Sequence, residues 1–117
     1  MIVILAGPAV GQTGAMLQLR PNCEYCDADL PPASGQARIC SYECTFCTAC
    51  AEGVLHGVCP NCGGGLVPRP IRPAKAWRPG VSLEHQPASR ERVHLRRTPD
   101  EVEALIAQLR DVPAAER

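Results

Sequence analysis

Eight cysteines carry the chemistry this sequence offers: Cys23, Cys26, Cys40, Cys44, Cys47, Cys50, Cys59 and Cys62, spaced C-x2-C-x13-C-x3-C-x2-C-x2-C-x8-C-x2-C. Two thiolates in a C-x2-C turn reach one ion while the turn's amide N–H groups face the sulfur charge, and Zn2+ accepts four such ligands tetrahedrally. Cys59-Pro60-Asn61-Cys62-Gly63 is the strongest of these signals, because the glycine can take the positive φ the turn demands. Eight thiolates divide into two closed sites. A closed site keeps no position for water, so the expected cofactors are two structural Zn2+ ions.

Two pairings of the ligands compete. In an interleaved cross-brace, Cys23, Cys26, Cys47 and Cys50 hold one ion, and Cys40, Cys44, Cys59 and Cys62 hold the other. In a sequential arrangement, the first four cysteines form one site and the last four the second. The stretch Cys44 to Cys50, followed by Cys59-Pro60-Asn61-Cys62, resembles the second half of a RING-type finger, with Cys44 where that family usually has histidine and Phe46 as its small-core aromatic. Cys40-Ser41-Tyr42-Glu43-Cys44 after the first pair also resembles treble-clef fingers, whose four ligands are consecutive. The cross-brace is the preferred reading.

Other uses of the same residues fit less well. Cys44-x2-Cys47-x2-Cys50 resembles a ferredoxin run, but the gap before Cys59 departs from the C-x3-C step of an iron–sulfur site. Rubredoxin-like iron leaves four cysteines without a role, and a disulfide framework needs an oxidising compartment. His56 could replace a thiolate, although eight cysteines already fill two sites. His85 and His94 stand beside no recognisable nucleophile, so no catalytic residue and no enzymatic activity are expected.

The elements that must position these ligands are slight. The chain has 117 residues, with twelve prolines, ten glycines and only Tyr25, Tyr42, Phe46 and Trp77 as aromatics, a balance that favours loops and leaves metal to hold the fold. The expected fold is a small metal-stabilised α+β unit, either a two-zinc RING-like cross-brace or a tandem treble-clef/zinc-ribbon module, with irregular loops, short hairpins and a C-terminal helix. Residues 16–67 form the cysteine module. Residues 68–97 form a basic arm, of which 68–90 is expected as an extended or polyproline-like linker rather than a packed element, interrupted by Pro68, Pro70, Pro73 and Pro79, with a short strand over 91–97.

Residues 98–112 read as an amphipathic helix and 113–117 as a tail. Thr98 can cap the helix, Pro99 suits its first position, and Thr98 with Glu101 forms a capping box. Val102, Leu105, Ile106 and Leu109 make one apolar stripe, to be covered by the module or by a partner. Residues 1–15, apolar and then glycine-rich, read as an extension ahead of Met16, itself a candidate start, or as a short strand or tail.

Net charge is zero but uneven. Residues 16–67 carry −3, residues 68–97 carry +6 from eight cations and two carboxylates, and the last twenty residues carry −3. No basic n-region marks a secretory signal, and no stretch approaches the ~20 apolar residues of a membrane span, so a cytoplasmic protein without membrane association is expected.

Met16-Leu-Gln-Leu-Arg-Pro-Asn-Cys-Glu-Tyr-Cys26, the block RICSYECTFC and the block EGVLHGVCPNCGGGLVPRPIRP together resemble a bacterial cysteine-rich family described as domain of unknown function 1272. The resemblance runs from about Met16 to Arg97, and the helix after Thr98 extends beyond it. It implies a cytosolic zinc-binding protein and supplies no function.

Three roles follow from the residues. The first is a protein-interaction adaptor, since small closed zinc modules present surfaces rather than perform reactions. The second is nucleic-acid binding through the basic arm, with Arg69, Arg72, Lys75, Trp77 and Arg78 as contacts and Trp77 as a stacking platform. The third is thiolate-based metal or redox sensing. The arm has a rival partner in its own chain, because the acidic module becomes more negative still when its thiolates bind zinc.

Overall fold

The computed structural model describes residues 16–117, so the reading of residues 1–15 as an extension lies outside them. Strands of two or three residues between cysteine turns build a small antiparallel sheet. In β1 (Ala37–Ile39) buried Ala37 and Ile39 flank half-buried Arg38, and β2 (Thr45–Cys47) inserts Phe46, which is fully buried. β3 (Val67–Pro68) is the other edge, giving the order β2-β1-β3, with Arg38 opposite both Phe46 and Pro68. A proline is tolerated there because an edge strand can spare a ladder donor.

α1 (Thr48–Gly53) follows directly on β2, so Cys47 and Cys50 stand at its start and within its first turn. Leu30, Ala37, Phe46, Ala51, Leu55 and Val58 form one core with the cysteines. The architecture is a small α+β unit built around two cysteine clusters.

α2 (Pro99–Leu109) is capped as its sequence implies. The Thr98 hydroxyl accepts the Glu101 N–H at 3.1 Å, and the Glu101 carboxylate accepts the Thr98 N–H at 2.8 Å. The helix stops at Leu109 with Arg110 as its C-cap, a little short of residue 112. Val102 and Ile106 are buried in the common core and Leu109 packs against it, so the chain's own cysteine module covers these three positions of the stripe, while Leu105 is half-buried outside that core. Burial of two such aliphatic side chains contributes about 2 kcal/mol each, more than an isolated helix of this length can supply from propensity.

Residues 68–97 correct the sequence reading in two respects. The segment has almost no regular structure, yet it is packed rather than a free linker: Arg69 is 5% and Ser82 1% exposed. Ser89 donates its N–H to Leu19 O at 3.0 Å and Leu95 donates to Glu24 O at 2.8 Å. No strand forms over 91–97. Val93 pairs instead with a side chain, since Asn22 Nδ2 donates to Val93 O at 2.9 Å and Asn22 Oδ1 accepts the Val93 N–H at 3.1 Å. One buried amide thus takes the hydrogen bonds that a strand ladder would have used.

Candidate metal centre

Three local turns bring the cysteines into position. At Cys23–Cys26, the Asp27 N–H closes the turn on Cys23 O at 2.8 Å, and the Cys26 N–H points at Cys23 Sγ from 3.5 Å. At Cys59–Cys62, the Gly63 N–H closes the same turn on Cys59 O at 2.8 Å, while the N–H groups of Asn61 and Cys62 face the Cys59 sulfur. The residue after the second cysteine is left-handed in both, φ +68° at Asp27 and +79° at Gly63. Aspartate is among the few side chains that tolerate this region. A tighter turn follows Cys40, with Glu43 at φ +72° and the Tyr42 N–H 3.3 Å from Cys40 Sγ.

The sheet and α1 then gather these turns into two groups that interleave along the chain. The sulfurs of Cys23, Cys26, Cys47 and Cys50 all lie within 4.8 Å of one another, as do those of Cys40, Cys44 and Cys59. Cys62 is exposed and its sulfur lies outside the second group, with the Gly64 N–H 3.4 Å away. None of the eight cysteines is joined to another by a disulfide in this structure. His56 is exposed, left-handed at φ +50°, and belongs to neither group.

The donor set suits a thiophilic dication. Tetrahedral ligands about 2.3 Å from zinc stand about 3.8 Å apart, and Cys26 Sγ lies 3.8 Å from Cys47 Sγ. The thiols alone would not ionise together. Burial pushes Cys40 up to about 11 and raises Cys50 further. Cys44 is held down to about 5, first by its hydrogen bond with Cys59, then by Asn61 and Cys40, with burial opposing; Cys59 is raised by the same pairing. Such crowded sulfurs carry negative charge together only when a cation compensates it, and a bound dication deprotonates a coordinating thiol outright. Both cysteine groups can hold a metal ion.

Several polar residues the spacing did not single out support the first group. Asn22, fully buried, spans Val93 and the Asp27 carboxylate. Asp27 also receives Arg92 and His94, and the Arg92 guanidinium, with His94 adding, holds its carboxyl below the usual range. Arg92 reaches Asp29 as well, at 2.9 Å. Glu24, 3% exposed, accepts the Thr45 N–H and an Arg20 N–H, both at 2.7 Å. Burial nonetheless leaves its carboxyl above the ordinary range. For the contacts of Arg92 and His94 with Asp27 and Asp29, the one sequence signal was the opposite charge of arm and module.

The expected nucleic-acid contacts separate into two classes. Arg69 is enclosed, donating to Arg20 O at 2.8 Å, Pro31 O at 3.1 Å and Leu30 O at 3.3 Å, and Arg72 donates to Leu17 O and Gln86 O, each at 2.7 Å. Both are therefore braces of the fold. Lys75, Trp77 and Arg78 are exposed. Among the described residues, no helix is long and apolar enough to cross a membrane.

A family model described as protein of unknown function (DUF1272) matches residues 16–72. An uncharacterized protein of Rhizobium meliloti (strain 1021) is 62% identical over 78 residues, covering 67% of this chain and 86% of the relative. No solved structure matches the chain.

Proposed function

The chain belongs to the family described as protein of unknown function (DUF1272), and from that premise we propose that its eight cysteines hold two structural zinc ions in a RING-like cross-brace that serves as a non-catalytic protein-interaction adaptor. The observation that carries this reading is the interleaving of the two thiol groups, Cys23, Cys26, Cys47 and Cys50 against Cys40, Cys44 and Cys59. Cys62 completes the second site, because its turn repeats the two backbone hydrogen bonds of the Cys23–Cys26 turn, first-cysteine N–H to the residue five on and the residue four on back to the first cysteine's carbonyl, and Cys26 is grouped with its partners. Bound zinc would supply charge compensation and cross-linking. With four protein ligands at each ion, no position is left for substrate activation.

An adaptor needs a rigid framework in a chain too small for a large core, and two interleaved cross-links provide one. The test is native mass spectrometry with elemental analysis on protein purified without added metal, together with a chelator titration followed by circular dichroism. Two zinc ions per chain and loss of structure on chelation are expected. Iron with labile sulfide, or a metal-free chain lighter by two hydrogens per disulfide, would overturn the proposal and make redox chemistry the leading function.

A further inference from the structure

The basic arm contains a braced loop that displays the chain's single tryptophan. Residues 73–86 are closed by the Leu83 N–H on Pro73 O at 2.8 Å and by Gln86 Nε2 on Gly80 O at 2.9 Å. Ser82 is its buried centre, with Oγ 2.9 Å from His85 Nδ1. Arg78-Pro79-Gly80-Val81 turns the tip, closed by the Val81 N–H on Arg78 O at 3.3 Å, with Gly80 at φ +80° where a side chain would be strained. Arg72 ties the base to Leu17. On this frame Trp77 is 74% exposed, more than any other large hydrophobic side chain among the described residues, and Ile71 and Val81 are exposed with it.

The tip of the loop is cationic, with Lys75 and Arg78 on either side of Trp77, and the loop's one carboxylate, Glu84, lies toward its base. No carboxylate side chain occurs between Glu52 and Glu84. Arg69 and Arg72 are taken up by backbone carbonyls, whereas Lys75 and Arg78 are exposed and make no ion pair among the described residues.

We propose that this loop is the adaptor's docking surface and that its partner is an acidic protein segment, whose aliphatic side chains cover Trp77 and Val81 while its carboxylates meet Lys75 and Arg78. The proposal rests on the adaptor reading. Residues 73–86 hold only two cations, Lys75 and Arg78, which weighs against a nucleic acid docking on this loop: counterion release scales with the phosphates neutralised, and two give a salt slope of only about −2 and correspondingly little affinity. A base stacked on one indole would also leave Val81 and Ile71 uncovered. A rigid aromatic anchor beside cations, ordered before binding, concentrates binding energy at protein interfaces.

The test uses the full, metal-loaded chain in its native host, with a photoreactive phenylalanine analogue replacing Val81 in one strain and Val54, at the end of α1, in another. The expected result is a cross-link from position 81 to a peptide rich in Asp, Glu and aliphatic residues. Its yield should fall about tenfold on Trp77→Ala, as for an interface hot spot, with metal content and circular dichroism unchanged. Lys75→Glu with Arg78→Glu should abolish it; if that pair loses metal, Trp77→Ala alone decides. Nucleotide adducts at position 81 overturn the proposal, as does saturable quenching of Trp77 fluorescence by oligo(dT) of about 15 nucleotides at physiological salt. Silence at 81 with a protein captured at 54 removes the loop and leaves the adaptor; silence at both removes both.

Discussion

Replacing Arg69 with alanine separates a structural arginine from a ligand-binding one. Its guanidinium, 5% exposed, meets only backbone carbonyls: Arg20 O at 2.8 Å, Pro31 O at 3.1 Å and, more weakly, Leu30 O at 3.3 Å. A hydrogen bond to a charged group contributes about 1.5 kcal/mol or more, and the carbonyls left behind lose their partners in a buried place. Counting the two shorter bonds gives about 3 kcal/mol. For a domain of this size that is a fall in Tm of roughly 12 °C. Arg78→Ala, whose side chain is exposed and reaches only the neighbouring Trp77 O at 3.2 Å, should stay within about 0.5 kcal/mol. The assay is thermal and urea unfolding of both variants at one fixed free zinc concentration, because metal binding raises apparent stability by mass action. Equal small shifts for both variants would show that Arg69 is not a brace and would return it to the candidate ligand contacts.

Cys62→Ser should lower the zinc content from about two ions per chain to about one, because a closed site needs its fourth ligand; unchanged stoichiometry would remove Cys62 from the second site. Ile106→Ala should destabilise the protein by about 2–4 kcal/mol through a cavity against the module, read by denaturation, whereas Glu103→Ala, exposed on the same helix, should be nearly neutral. Thr98→Ala should cost about 1 kcal/mol by opening the capping box. Acceptance of the Thr98 N–H depresses the Glu101 carboxyl. Its contribution is therefore complete above the unfolded value of about 4.3 and is lost as pH falls through the lower folded value; Glu101→Gln should flatten unfolding curves in that acidic window, and an unaltered pH profile would contradict the box.

Residue types and local rules determined much of this protein from the sequence alone. The C-x2-C pairs and Gly63 specify their own turns, and Thr98-Pro99-x-Glu101 specifies a helix start, because each needs only neighbours within a few positions. Phe46 was legible as a core residue through its resemblance to the small-core aromatic of RING-type fingers, and it is fully buried. The interleaved grouping was not legible in this way, since the spacing of Cys40 and Cys44 serves either pairing and the choice depends on the sheet that sets β2 beside β1. The fate of the basic arm was likewise a tertiary decision. Arg69, Arg72, Lys75 and Arg78 share one stretch of sequence and one charge, yet the first two end against backbone carbonyls and the last two in solvent. Sequence sets the charge of a side chain and the turns beside it; which arginine is enclosed depends on where distant carbonyls of Leu17, Arg20 and Pro31 come to lie, and packing alone fixes that.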